Sequence, residues 1–458
     1  MTETSQTRFR LLRGWRQILV DRRVFTAVLT VGGFSALVNL AATVKELLVA
    51  HRFGTGDALD ALLIALLLPS LASNVIAGSF SAAIVPTLIH IRENQDHEAV
   101  RRLFSNVMIG ATILLLSVSV FLALMSSFVL PLLGSGFSPE KQALTRSLFF
   151  VLLPILLISG LGTTWAAILN AYERFALAAV SPIMIPVMTM LFLLFVGQVW
   201  GIYALAAGTV VGFITEVALL AWGVRRQGFL LHLRWYGFDP ALKRVAKQYV
   251  PMAVGALLMS CMGLVDQSMA AMLGPGSVSS LSYGNKIVAL ILGIGSLSVG
   301  TAVFPYFSRL VAVNDWGELR RTLKGCGILI LLVTVPITLG LIYFSKPLIR
   351  VLFERGAFTS ADTLRVGQIQ IFLLLQVPFY LLTILIVRLL SSLNKNIVLM
   401  HAAMINLILK VILNYVFIRR FGVAGIGLST ALVCLISLGY CFAMLNKQIR
   451  IVGHPWKR

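Results

Sequence analysis

The sequence predicts an all-α integral membrane protein, with about twelve transmembrane helices in two six-helix lobes around a central cavity. Three observations carry that fold class. Twelve apolar segments are long enough to cross a bilayer, a faint internal repeat relates the two halves, and eight charged residues lie inside the apolar segments, beyond the two residues at either end.

Composition sets the class first. Of 458 residues, 58% are hydrophobic and 12% are charged, and the mean hydropathy is +0.92. A soluble domain carries roughly twice that charged fraction. A soluble core also cannot absorb so much apolar surface, whereas a bilayer solvates it. The net charge of +21 would point to nucleic acid in a soluble chain. Here the basic residues flank apolar segments, so a bilayer is the expected partner and nucleic acid is not.

The apolar segments of the first half run over about 24–51, 58–90, 103–133, 145–170, 175–198 and 201–223. Those of the second half run over 246–272, 277–307, 323–345, 364–392, 397–418 and 424–445. Several exceed the roughly 20 residues of a perpendicular helix, so tilt, kinks or extension past the bilayer are expected.

Orientation follows from the Lys/Arg bias. With the N-terminus inside, the cytoplasmic pieces are 1–23, 91–102, 171–174, 224–245, 308–322, 393–396 and the tail. They hold Arg8, Arg10, Arg13, Arg16, Arg22 and Arg23, then Arg225, Arg226, Arg234, Lys243 and Arg244, then Arg309, Arg320 and Arg321. The other side has a basic cluster at 346–365 and the pair Arg419, Arg420. An even number of spans places both termini in the cytoplasm. The expected organisation is a basic amphipathic segment (1–23), a first lobe (24–223), a cytoplasmic linker (224–245), a second lobe (246–445) and a basic tail (446–458).

Within 8–20, Phe9, Leu12, Trp15 and Leu19 recur at helical spacing with Arg10, Arg13 and Arg16 between them. This reads as an interfacial helix on anionic lipid, with a disordered basic leader as the competing reading. Cys261, Cys326, Cys434 and Cys441 all fall in spans and read as apolar packing residues. The six histidines lack ligand-like spacing. No phosphate loop, H-E-x-x-H or G-x-S-x-G context occurs, so no metal, cofactor or enzymatic activity is expected.

The eight charges are Lys45, Glu46, Asp60, Glu216, Asp266, Lys286, Arg388 and Lys410. An ionisable group in a spanning helix costs roughly 2.5–3.5 kcal/mol on insertion scales and normally faces a bundle interior or an aqueous cavity. Four cations and four anions so placed suit a transporter of charged or very polar cargo.

The repeat sets the lobes. FGTG (53–56) precedes IVPTL (84–88), and LGPG (273–276) precedes VFPYF (303–307). LNAYE (169–173) is answered by LNKN (393–396), and Gly201 by Gly425. The four offsets are 220, 219, 224 and 224 residues.

KELLVAHRFGTGDALDA (45–61), PSLASNVIAGSFSAAIVP (69–86), GFLLHLRWYGFDPALKRVAKQYVP (228–251), SYGNKIVALILGIGSLSVGTAVFPYFSRL (282–310) and VLFERGAFTSADT (351–363) resemble the MurJ/MviN lipid II flippases. The resemblance runs in order from about 30 to 448. That family sits in a wider group with multidrug and toxin extrusion (MATE) transporters and polysaccharide exporters, which share two six-helix lobes. The resemblance implies a flippase that moves a polyprenyl-diphosphate-linked saccharide to the outer leaflet of the bacterial cytoplasmic membrane. Envelope glycosyltransferases are the implied protein partners.

On the same resemblance, Lys45 stands where the family has a first-helix arginine, Glu46 and Asp60 where it has acids, and Lys286 where its eighth helix has an arginine. Arg52 and Asn74 complete the candidate substrate set, with Asp60 as the expected partner of Lys45 or Arg52. Glu46 is not expected to pair with Lys45, since adjacent helix positions point about 100° apart. A diphosphate calls for such cations in a partly desolvated cavity, where Coulomb terms exceed those in water. Three departures stand out. Ser73-Asn74 replaces a basic pair, lysine replaces arginine at both carried-over positions and so loses the bidentate fork, and two further helices usual in the family are not in this chain. A related lipid-linked oligosaccharide, such as an exopolysaccharide or O-antigen repeat unit, is therefore a contender beside lipid II.

Asp266 matches a position that binds sodium in some family members, together with the positions of Asn406, Lys410 and Thr430. Here Lys410 is expected to stand in for the cation. Glu216 and Arg388 match no family position and read as a structural ion pair or as snorkelling residues. The competing function classes are a MATE-type drug/cation antiporter, whose acid-rich site clashes with the cavity lysines, and a membrane-embedded glycosyltransferase or polymerase. For the second, Arg350, Glu354 and Arg355 in the short 346–363 loop are the available residues.

Overall fold

A computed structural model describes residues 22–94, 97–172, 174–227, 234–237, 240–393 and 395–451. The interfacial helix expected at 8–20 lies outside the described residues, as do parts of the 224–245 linker and the end of the tail. Twelve helical stretches among the described residues are long and apolar enough to span a bilayer. In order they are Thr30–Phe53, Asp57–Phe80, Arg102–Leu133, Pro139–Ala171, Phe175–Phe195 and Ile202–Arg226. Tyr249–Ala271, Ser277–Ala312, Trp316–Tyr343, Ser360–Ser392, Ile397–Phe421 and Ala424–Ile449 follow. No strand occurs among the described residues.

Most boundaries fall within a few residues of the sequence expectation, and the fourth span departs usefully. Its helix starts at Pro139 rather than 145 because Ser138-Pro139-Glu140 is a helix start. The Ser138 hydroxyl accepts the Lys141 N–H at 3.3 Å, proline fits a first turn, and an acid suits the positive helix end. The tenth span likewise begins early, at Ser360, on a capping box in which Thr359 and Asp362 each accept the other's backbone N–H.

The repeat is visible in the elements. Helices Arg22–Phe53 and Pro240–Ala271 both have 32 residues and start 218 apart. The fourth span breaks at Leu153 and the tenth at Leu375, 222 residues apart, one and three residues before a proline (Pro154, Pro378) that withholds one helix N–H. Gly54 and Gly274 have φ of +54° and +97°. Gly201 (φ 52°, ψ −125°) is matched by Gly422 (φ 57°, ψ −140°), 221 residues on. This corrects the pairing of Gly201 with Gly425: the turn needs a backbone conformation open to glycine, and Gly422 has it.

The contacts divide the chain into two units. The first comprises Met1–Leu48, Ala72–Leu124 and Leu148–Ala253. Its core joins Leu103, Phe104, Val107 and Met108 to Trp165, Ile168, Leu169, Leu220 and Val224. The segment at 234–237 is held on by Ser105 and Asn106. The Asn106 carbonyl oxygen accepts the Tyr236 N–H at 2.8 Å, and its amide donates to the Gly237 carbonyl at 3.0 Å.

The second unit comprises Val49–Leu71, Met125–Ser147 and Val254–Arg458. Its core is built on Phe307, Leu319, Leu385, Leu389, Val398, Cys441 and Leu445. It therefore takes in two pieces of the first six-helix half, those carrying the Phe53–Asp57 and Leu133–Pro139 turns. These dock through backbone: the Ala357 N–H donates to the His51 carbonyl at 2.8 Å. Gly54 lies so close to Ala357 that a Cβ would collide with its carbonyl.

Candidate functional site

The helix Ser277–Ala312 presents Ser282, Lys286, Ala289, Gly293, Ser296 and Gly300 at alternating steps of four and three residues, which is one face of a helix. Five of the six are small, and that face opens onto a cavity of about 960 Å³ within the second unit. Asp266 and Gln267 from the seventh span, Gln376, Tyr380 and Arg388 from the tenth, and Thr430 from the twelfth complete its polar wall. Lys286 is exposed to this cavity. The wall thus offers an ammonium, a guanidinium, hydroxyls and amides, a set suited to an anionic group bearing sugar hydroxyls.

Asp266 is the acid of that wall, and its charge is already answered. Lys410, from the eleventh span, is buried and places its Nζ 3.0 Å from Asp266 Oδ2. Asn414 donates its amide to Asp266 Oδ1 at 2.9 Å, and Lys410 also donates to the Thr430 hydroxyl. The expected Asp266–Lys410 pair and Thr430 therefore come together. Asn406, one turn before Lys410, does not join them; it donates to Ser437 Oγ of the twelfth span at 3.0 Å. Asn414 takes the place expected of Asn406. Positions 406, 410 and 414 are one helix stripe, and that spacing is the signal by which the sequence could have shown Asn414.

Two expectations about the acids of the first spans are corrected. Lys45 pairs with its neighbour Glu46, Nζ to Oε1 2.7 Å, with both side chains half-buried. Their long stems overcome the angular offset of adjacent helix positions. Asp60 pairs with neither Lys45 nor Arg52. It is fully buried and accepts from Lys141 Nζ at 2.9 Å, from the Gly276 N–H at 2.8 Å and from the Ser279 N–H at 2.7 Å. It is therefore a cap, supplied from the second span, for the N-terminus of the cavity helix Ser277–Ala312.

Lys141, which lies before the helix that the sequence predicts from 145, also meets Asp57 at 2.6 Å and lies 4.0 Å from the Phe137 ring centre. Arg52 is half-buried in the second unit, and Asn74 is exposed on the second span. Asn74 lies next to Ser73, whose hydroxyl meets Ser159 Oγ at 2.6 Å. Glu216, half-buried in the first unit, has no ion-pair partner among the described residues. Arg388 lines the cavity and forms no ion pair among the described residues.

Comparison with known proteins adds to this geometry. Residues 49–457 match the family described as lipid II flippase MurJ. A lipid II flippase MurJ of Burkholderia cenocepacia is 27% identical over 95% of this chain and 86% of its own length. A probable lipid II flippase MurJ of Synechocystis is 26% identical over 92% of this chain and 81% of its own. Among solved structures, a lipid II flippase MurJ in an inward closed conformation superposes with a TM-score of 0.78 at 24% identity, covering 91% of this chain and 87% of that one. An inward-facing MATE family transporter of the MOP superfamily gives 0.74 at 14% identity, covering 91% and 95%.

Proposed function

Because the chain belongs to the lipid II flippase MurJ family, we propose that it carries a polyprenyl-diphosphate-linked cell-envelope saccharide, lipid II or a close relative, from the inner to the outer leaflet. It is a multi-pass protein of the bacterial cytoplasmic membrane. Both termini face the cytoplasm in this proposal, and transport proceeds by alternating access of the six-helix lobes 24–223 and 246–445. The chain binds and releases its cargo without a catalytic step.

The observation that carries the reading is Lys286 on the open, small-residue face of the Ser277–Ala312 helix, at the wall of a polar cavity of about 960 Å³. Within a partly desolvated wall an ammonium attracts a phosphate far more strongly than it does in water. Lys45, held by Glu46, is the second proposed phosphate contact, with Arg52 and Asn74 beside it in the candidate set. Asp60 supports the site by fixing the N-terminus of the cavity helix. Envelope glycosyltransferases are its proposed neighbours in the membrane.

A cation antiporter fits less well. The cavity wall carries Lys286 and Arg388, and its acid, Asp266, is bound to Lys410. A positively charged drug would meet repulsion there.

The test is reconstitution. Purified protein in liposomes should move a fluorescent polyprenyl-diphosphate-linked disaccharide between leaflets, and the gene should rescue cells depleted of their lipid II flippase. Flipping without rescue would assign the chain to a different lipid-linked saccharide. Absence of both flipping and rescue would overturn the reading.

A further inference from the structure

The cavity holds two cations at different depths. Lys286 and Gly300 lie on the same helix face, and at about 1.5 Å of rise per residue their separation along the axis is roughly 21 Å. The Arg388 guanidinium rests against Gly300: a Cβ there would sit 3.0 Å from Nη2 and 3.4 Å from Nε. Arg388 therefore occupies the far end of the cavity from Lys286. One diphosphate cannot touch both.

The chemistry of that end is specific. Arg388 Nε is buried and has no hydrogen-bond partner among the described residues. A buried N–H without a partner is costly, and with the Nε edge packed against Gly300 a phosphate meets the guanidinium end-on, through its two Nη groups, which is also a bidentate geometry. The wall between the two cations stays polar and open. Ser296, Gln376 and Tyr380 line it, and a Cβ on Gly293 would meet nothing within 4 Å. A residue that merely snorkels would aim away from this space toward the helix end at Ser392; the Arg388 guanidinium instead rests against Gly300 and lines the cavity.

We infer that Arg388 is a second anion station, at which the diphosphate of the cargo is held by a bidentate contact before or after it occupies Lys286. The inference rests on the flippase reading above and deepens it: the cavity is a two-step path with a cation at each end. In the proposed orientation the Arg388 end is the cytoplasmic one, so Arg388 receives the headgroup first. Arginine suits a capture station, because its fork selects a phosphate by shape as well as by charge.

The test uses the full-length protein in nanodiscs with geranylgeranyl diphosphate as the probe. Arg388→Gln should weaken binding about tenfold or more, the loss of one charge-assisted contact. Arg388→Lys should recover part of it, keeping the charge without the fork. As a measurement on the unaltered protein, phenylglyoxal labelling of Arg388, followed by peptide mass spectrometry, should slow in geranylgeranyl diphosphate and not in geranylgeraniol. That protection should persist in Lys286→Ala, since the stations are separate. If the wild type binds the probe and Arg388 is labelled at the same rate with and without it, the second station is wrong while the flippase reading stands. If the wild type neither binds the probe nor flips lipid-linked saccharide, both fall together.

Discussion

Lys141 Nζ lies 2.9 Å from Asp60 Oδ2, a buried ion pair between residues 81 positions apart. The Asp60 carboxylate is also the N-terminal cap of the Ser277–Ala312 helix. One pair therefore ties the second and fourth spans to the helix that carries Lys286.

Breaking that pair should be costly. Removing one partner of a buried pair leaves an uncompensated charge, a loss of about 3–5 kcal/mol. Asp60→Asn and Lys141→Ala should each lower the thermal unfolding midpoint in detergent, and Asp60→Asn more, since it also loosens a cap. A midpoint unchanged in both variants would remove the structural role assigned to the pair.

Lys286 should be required for transport and dispensable for folding. Lys286→Ala should leave the amount of protein in the membrane unchanged and cut flipping by about tenfold or more, the effect of one charged contact. Lys286→Arg should retain transport, since the charge stays and a fork is added. Lys45→Ala should behave as Lys286→Ala does. Normal flipping in both alanine variants would show that the diphosphate is held elsewhere.

Asp266 and Lys410 should behave as a unit. Each single alanine change should destabilise the protein, and the double change should cost less than the sum, by a coupling of about 0.5–3 kcal/mol. With an ammonium seated at 3.0 Å on the carboxylate, transport should also proceed when sodium is replaced by choline. A strict sodium requirement would show that Lys410 does not stand in for the ion.

Gly54 is a sharper test of the packing around the Phe53–Asp57 turn. Its φ is +54°, and a Cβ would collide with the Ala357 carbonyl. Gly54→Ala should therefore destabilise by about 1 kcal/mol or more. Gly33→Ala, on an open helix face with nothing within 4 Å, is the control. Equal melting of the two variants would contradict the close approach.

The twelve spans, the repeat and the family were legible in the sequence, because bilayer thickness, helix period and turn chemistry act locally and leave a mark at each position. The Asp266–Lys410 pair was legible too, through the family resemblance that places both positions at one cation site. What the sequence could not decide was which partner each of the other charges takes. Lys45 turns to Glu46, Asp60 to Lys141, and Arg388 to a cavity end beside Gly300. The first is a choice of rotamer between neighbours; the other two depend on which helix faces meet, and residues 81 to 219 positions apart meet only once the spans pack. The solvent of each helix was written locally; the partners of its charges came from tertiary contact, because electrostatic pairing acts through space and not along the chain.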